Sequence, residues 1–338
     1  KKDQLNFFET KKVIKDVIYE LEKKTKVYMN NISLMLDTSD SLSISLSVSK
    51  KNDGKLIEKK NIQYLIQDAK QQILKSYPDQ NIIHIIISNY KVDGEDYDYL
   101  PENTKCEIFS VDIFFICFPK ILIKDLENLF QTNQISVNQF LCSSYTKSLS
   151  YKEQFPTFEK IAFIDIGYEK TSIVIYEKDK LKAFNVLTIG SNHITKDISK
   201  VLNLDIEKSE MIKNNLNKDI LFSETNRDNK IFQSDFLVNS IKKKISPELI
   251  KKVIFARIDE ILKLSLKTIE AHENLEDINR LKVVLIGDGS KILDSNFIHI
   301  KETVPIFEEI DFLIETGVNI CESGFKLSKG LNKQEVLV

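Results

Sequence analysis

Two glycine-centred loops follow apolar runs: DIGYEKT (165–171), inside FIDIGYEKTSIVIY, and IGDGSKI (286–292). Loops of this kind bring backbone N–H groups and a carboxylate beside a phosphate and its magnesium ion, and glycine lets the backbone approach closely. Taken singly, each is a weak signal, because a strand-turn-strand with Asp-x-Gly also describes an ordinary hairpin. His193 is the other residue with chemical potential. No second His, Cys or acidic cluster stands at ligand spacing from it, so a structural role at a helix start is the expectation. Cys106, Cys117, Cys142 and Cys321 have no paired ligand spacing and read as free thiols in a reducing cytoplasm, three of them in apolar surroundings.

The loops need strands and helices to hold them. Three strands in a meander, 161–166, 171–176 and 181–190, carry the first loop, and helices over about 192–202 and 207–214 follow. The strand 282–287 carries the second. Between them runs the clearest helix of the chain, SPELIKKVIFARIDEILKLSLKTIEAH. Ser246 suits its N-cap, Pro247 its first position and Glu248 the positive end of its dipole. Leu249, Ile250, Val253, Ile254, Ile261, Leu262 and Leu264 form its apolar face, with Lys252, Arg257 and Glu260 off it. The polar stretch 218–229 reads as a loop. Upstream, a helix over 9–25 presents Val13, Ile14, Val17, Ile18 and Leu21, and an alternating segment spans 31–36. SLSISLSVS (41–49) reads as a half-buried strand with Leu42, Ile44, Leu46 and Val48 on one face. A helix over 61–76 and strands at 82–88 and 106–118 complete an α+β unit over 41–118. Helix 121–130, strand 135–140 and a further helix to about 150 come next.

A length of 338 residues fits two domains or one fold in two lobes. With 42% hydrophobic and 29% charged residues and no run apolar enough to cross a bilayer, the chain is neither disordered nor membrane-spanning. Its 48 basic residues are balanced by 50 acidic ones, and the short Lys runs are interleaved with apolar positions, which excludes a nucleic-acid footprint.

Order makes the loops specific. The hairpin 163–176, the segment IGSNHITKDISKVLNLDIEKSEMIK (189–213), the helix ELIKKVIFARIDEIL (248–262) and the loop VVLIGDGSKILD (283–294) occur in the order of the actin and heat-shock-chaperone superfamily. More narrowly they resemble the bacterial cell-division family FtsA, whose pattern runs D-I-G-G-G-T-T-D-I-A-V-Y, G-G-N-H-I-T-x-D-I-A, I-I-x-x-R-x-x-E-I and V-L-T-G-G-G-A. Gly190, Asn192, His193, Ile194, Thr195, Asp197 and Ile198 match the second motif. The resemblance implies an α/β, actin-like two-lobe fold with an inserted α+β subdomain, 1C, over 41–118. Residues 1–40 and 119–160 would then be the remainder of subdomain 1A, 161–194 and 281–330 subdomain 2A, and 195–280 subdomain 2B. It also assigns ATP to Asp165, Gly167, Tyr168, Lys170, Thr171, Gly190, Glu210, Lys213, Gly287, Gly289 and Ser290, with Asp165 reaching magnesium through water.

Three departures qualify this. The family opens with a strand pair carrying its own phosphate loop, whereas this chain opens inside the following helix. The family closes with an amphipathic membrane helix, whereas this chain stops at GLNKQEVLV, as if trimmed at both ends. In register with the family hairpin, Tyr168 and Glu169 replace glycines, Lys170 a threonine and Ser172 an aspartate; Asp288 replaces the middle glycine of the second loop. A ring and a carboxylate where phosphate must approach imply ATP and magnesium binding that is weak or lost, and at most a slow ATPase. The resemblance further implies an adaptor, cytoplasmic and peripheral on the inner membrane at the division site. It would bind the C-terminal tail of FtsZ through Lys252, Arg257 and Glu260, self-associate into filaments with SLSISLSVS as a candidate edge, recruit other division proteins, and reach the membrane through a C-terminal helix this chain does not contain. The alternatives are a pilus-assembly PilM-like protein and a metabolite kinase of the same superfamily; the kinase would need a second clamp and an aspartate base.

Overall fold

The structure is a computed structural model that describes residues 7–214, 247–272, 281–296, 309–330 and 335–336. The chain divides into two compact units, 1–150 with 318–338, and 151–317. The expected loop at 218–229 and the Ser246 cap lie outside the described residues.

In the first unit, α1 (Phe7–Thr25) precedes β1 (Asn31–Leu36) and β2 (Leu42–Leu56). Then come α2 (Lys59–Ser76), β3 (Gln80–Val92), β4 (Glu95–Tyr97), β5 (Lys105–Pro119), α3 (Lys120–Gln131), β6 (Ser136–Cys142) and α4 (Ser143–Lys152). β1 and β6 form a two-stranded parallel sheet, while β3, β5 and β2 form antiparallel neighbours with β2 at the edge. Val48 lies in the core beneath this sheet, and Leu42, Ile44 and Leu46 pack against it, because alternate strand residues share a face. β2 runs past the alternating stretch to Leu56: its backbone pairs with β5 through a register shift between Lys51 and Lys55, where positive φ at Asp53 and Gly54 lets the chain bulge. Ladder bonds need no apolar alternation, so the sequence pattern ends before the strand does. On α1, Val13 and Val17 of the expected apolar face are 59% and 52% exposed.

In the second unit, β7 (Lys160–Ile166), β8 (Thr171–Glu177) and β9 (Lys180–Leu187) form the meander. They are followed by α5 (Ser191–Leu202), α6 (Ile206–Asn214), α7 (Pro247–Glu270), β10 (Lys282–Ile286), a 3-10 helix (Asp288–Asn296) and β11 (Glu309–Phe312). The sheet order is β11-β10-β7-β8-β9, with β11, β10 and β7 parallel and the meander antiparallel. Every residue of β10 is buried, as is every residue of β7 after Lys160, which is why 161–164 and 283–286 read as unbroken apolar runs. α7 buries Ile250, Ile254, Ile258, Ile261, Leu262, Leu266 and Ile269 at three- and four-residue spacing in one core with Ile194 and Ile198 of α5. Leu249, assigned to that face from sequence, is 42% exposed, since it precedes Ile250 by one residue and so points about 100° away.

The chain ends in α8 (Gly317–Ser328) and β12 (Glu335–Val336). Residues 318–330 were expected with the second lobe's 2A but group with the first unit. β12 pairs antiparallel with Ile85 and Ile86 of β3, and Gly324 of α8 lies so near Met35 that a Cβ there would stand 2.4 Å from its Sδ.

Candidate functional site

The two loops leave the adjacent parallel strands β7 and β10 at their carboxyl ends, the end where open α/β sheets place ligands. Gly287 takes φ +91, the left-handed region, and a Cβ there would stand 2.3 Å from Asp165 Oδ1. A Cβ on Gly289 would meet Ile166 Cγ2 and O at 2.7 Å. Ser290 is buried and donates from Oγ to Gly287 O at 2.6 Å, which closes the turn. The glycines of the second loop therefore let it lie against the end of β7. Glu315, buried on the loop after β11, accepts from Gly287 N at 2.7 Å; its distance from the motif in sequence hid it.

The hairpin turn packs on the start of α5. Gly167 N donates to Lys170 O at 2.9 Å, closing the turn. The first helical amides of α5, Ser191 N and Asn192 N, donate to Gly167 O at 2.9 Å and Tyr168 O at 2.8 Å. A helix N-terminus leaves such donors without intrahelical partners and is a ready anion site; here two of them are spent on the hairpin. Gly190 makes the approach possible, for a Cβ on it would meet Tyr168 O at 2.6 Å and Gly167 O at 2.7 Å. His193 returns from the first turn: its Nδ1 accepts from Gly190 N at 3.2 Å, a structural contact at the helix start that assigns the ring proton to Nε2. Thr171 donates from Oγ1 to Ile189 O at 2.8 Å, and Glu169 accepts from the Asn192 side-chain amide.

Lys213 and Glu210, on α6, join the same place. Lys213 is 5% exposed and donates to Ser191 O at 3.3 Å, Thr195 Oγ1 at 2.9 Å and Glu210 Oε2 at 2.7 Å, using the three protons of an ammonium. Its Nζ also lies 5.6 Å from the centre of the Tyr168 ring. Burial acts to raise the Glu210 carboxyl, but hydrogen bonds from Lys213 and Thr195 outweigh it and hold the group below its ordinary range. All eleven residues assigned to nucleotide thus meet in one network within the second unit. In this arrangement the residues do not fit a phosphate: the Ser191 and Asn192 amides donate to hairpin carbonyls, the Lys213 ammonium to Ser191 O, Thr195 and Glu210, and the Asn192 side-chain amide to the Glu169 carboxylate at the turn.

A second feature lies between α5 and α7. Arg257 grips Asp197 of α5 with two bonds, Nε to Oδ2 at 2.6 Å and Nη2 to Oδ1 at 2.9 Å, and also pairs with Glu260. The hydrogen bonds to Asp197, against a smaller burial penalty, push the guanidinium above its usual value. A groove of about 260 Å³ opens here, with Val201, Val253 and Ala256 as its apolar lining and Asp197, Lys200, Arg257 and Glu260 as its charged one. Lys252 is exposed on α7 and is not among the lining residues. Asp197 sat within the matched motif, yet nothing in the sequence tied it to a residue 60 positions away.

Residues 162–299, which hold both loops, match the family described as "Cell division protein FtsA". The chain is 24% identical over 243 residues to FtsA of Agrobacterium fabrum, covering 71% of this chain and 54% of that one. It is 23% identical over 217 residues to FtsA of Bacillus subtilis, covering 64% and 48%. The chain spans about half the length of these curated relatives. Among solved structures it is similar to a chain of a PilM-PilN type IV pilus biogenesis complex, with a TM-score of 0.59 at 14% identity over 94% of this chain and 83% of that one. The mixed α/β fold is actin-like, and the FtsA resemblance read from the motifs is shared by curated FtsA proteins of several bacteria.

Proposed function

We propose that this chain is the actin-like core of an FtsA-type cell-division adaptor, and that the groove between α5 and α7 receives the C-terminal tail of FtsZ. The Arg257–Asp197 clamp carries the reading, because it holds a guanidinium at the rim of an apolar groove. A tail of acidic and apolar side chains complements such a site: Val201, Val253 and Ala256 take its apolar groups, while Arg257, Lys200 and the nearby Lys252 take its carboxylates. Glu260 is the rim carboxylate that an incoming one displaces from Arg257. In this reading 41–118 is subdomain 1C, 195–280 is 2B, and the edge strand β2 is a contact for self-association. Recruitment of other division proteins and attachment to the inner membrane face belong to the same proposal. Among the described residues no helix is long and apolar enough to cross a membrane. The PilM likeness bears on fold alone; the FtsA-family match over 162–299 is what favours division over pilus assembly.

Fluorescence anisotropy with a labelled FtsZ tail peptide tests the proposal. Saturable binding is expected, weakened roughly tenfold or more by Arg257→Glu, since hydrogen bonds to charged groups contribute about 1.5–3 kcal/mol. No binding to the wild-type chain, or binding indifferent to Arg257→Glu, refutes the assignment.

A further inference from the structure

Asp165 is 5% exposed at the end of β7, and a buried carboxylate needs a cation or a full set of hydrogen bonds. Directly opposite it in the β7–β8 ladder stands Ser172. Lys170 stands in the turn just before β8, two residues from Ser172. Its side chain does not leave for solvent: Lys170 is 8% exposed and Nζ donates to Ser172 Oγ, beside the position of Asp165. Gly287 walls the carboxylate from the second loop. Among the described residues no group of three His, Cys, Asp or Glu side chains is placed to hold a metal ion.

We propose that the Lys170 ammonium is the resident counter-cation of Asp165, occupying by its charge the role the fold family gives to a hydrated divalent ion, so that the hairpin closes without metal. The inference rests on the actin-like reading only in naming what the lysine replaces. It accounts for two substitutions together. Lys170 stands where the family has threonine and supplies a positive charge, and Ser172 stands where the family has aspartate and removes a negative one, so the site needs one fewer external cation than a site with two carboxylates. The α5 amides and Lys213 add further internal hydrogen bonds around the hairpin, while the buried Asp165 Oδ2 and Asn192 Oδ1 accept none.

Thermal unfolding of the whole chain tests this with Lys170→Met, Asp165→Asn, the double variant and Lys170→Arg, each in EDTA and in millimolar magnesium chloride. The wild type is expected to melt at the same temperature in both solutions. Each neutralising variant should melt lower by roughly 5 °C, the double variant by clearly less than the sum, and Lys170→Arg should retain most of the wild-type value. Additive losses in the double variant overturn the proposal. So does a magnesium-induced rise in the wild type that Asp165→Asn abolishes, and that comparison stands even if Lys170→Met fails to fold. The tail peptide takes no part in these measurements, so failure here is separable from failure of the groove assignment.

Discussion

Replacing Gly190 with alanine puts the packing of the hairpin on α5 to a quantitative test. Gly190 has φ −154 and ψ −168, extended backbone that alanine adopts without strain, so the whole cost must come from contact. The added Cβ would lie 2.6 Å from Tyr168 O, 2.7 Å from Gly167 O and 2.7 Å from Lys170 N, all main-chain atoms that no side-chain rotation can move. Restoring Tyr168 O to an ordinary contact of 3.4 Å requires separating turn and helix by about 0.8 Å (3.4 − 2.6). That separation strains the bonds from Ser191 N to Gly167 O and from Asn192 N to Tyr168 O, now 2.9 and 2.8 Å. Overpacking costs about 1–3 kcal/mol and a lost hydrogen bond about 1 kcal/mol, so a loss of roughly 2–4 kcal/mol is expected. Hydrogen exchange followed by mass spectrometry over 161–177 and 191–202 reads the local opening free energy without assuming two-state unfolding of a two-unit chain. Gly317→Ala is the control, since a Cβ there meets nothing within 4 Å. A Gly190→Ala chain whose opening free energy falls within about 0.5 kcal/mol of wild type would refute the packing argument.

Two further outcomes follow from side-chain environments. The folded-state pKa of Glu210 lies below the unfolded value, so its contribution to stability is present above about pH 4.5 and is lost as pH falls through the folded pKa; Glu210→Gln should therefore lower stability at neutral pH and lose less of it on acidification below pH 4.5, as followed by urea midpoints along a pH series. Burial raises the Cys106 thiol and pushes the Cys117 thiol up to about 12, and Cys142 is buried as well, whereas Cys321 is exposed; a disulfide-exchange reagent should titrate Cys321 quickly in the native chain and the other three thiols only after denaturation, and rapid labelling of Cys117 would contradict the packing of β5.

The legible parts of this protein are those where a local pattern suffices. Strand β1 carries the bounds read from its alternation, and β7, β8 and α5 lie within a residue of theirs, because period-2 and unbroken apolar runs report directly on how many faces are buried. β4 and β11 leave no pattern in the sequence: they are three or four residues long, too short for any period to show, and the pairing of β11 with β10 depends on the fold already being in place. The apolar face of α1 was legible as a pattern, yet Val13 and Val17 are exposed, because periodicity states that a face is apolar and not what stands over it.

By itself the sequence determined that two glycine loops, a helix start at 190–198 and a long amphipathic helix occur in an order that resembles the FtsA family, since motif order and residue type survive without contacts. Only the tertiary structure decided what those residues do to one another. Lys213, which sequence leaves divided between a solvated face and a ligand site, is buried with all three protons donated, and the α5 amides that could receive an anion donate to the hairpin instead. Arg257 closes on Asp197 across 60 residues of chain. The reason is physical: residue type sets which donors and charges are available, but their hydrogen-bonding capacity is finite, and packing at distances of about 3 Å decides whether a partner from elsewhere in the chain has already used it.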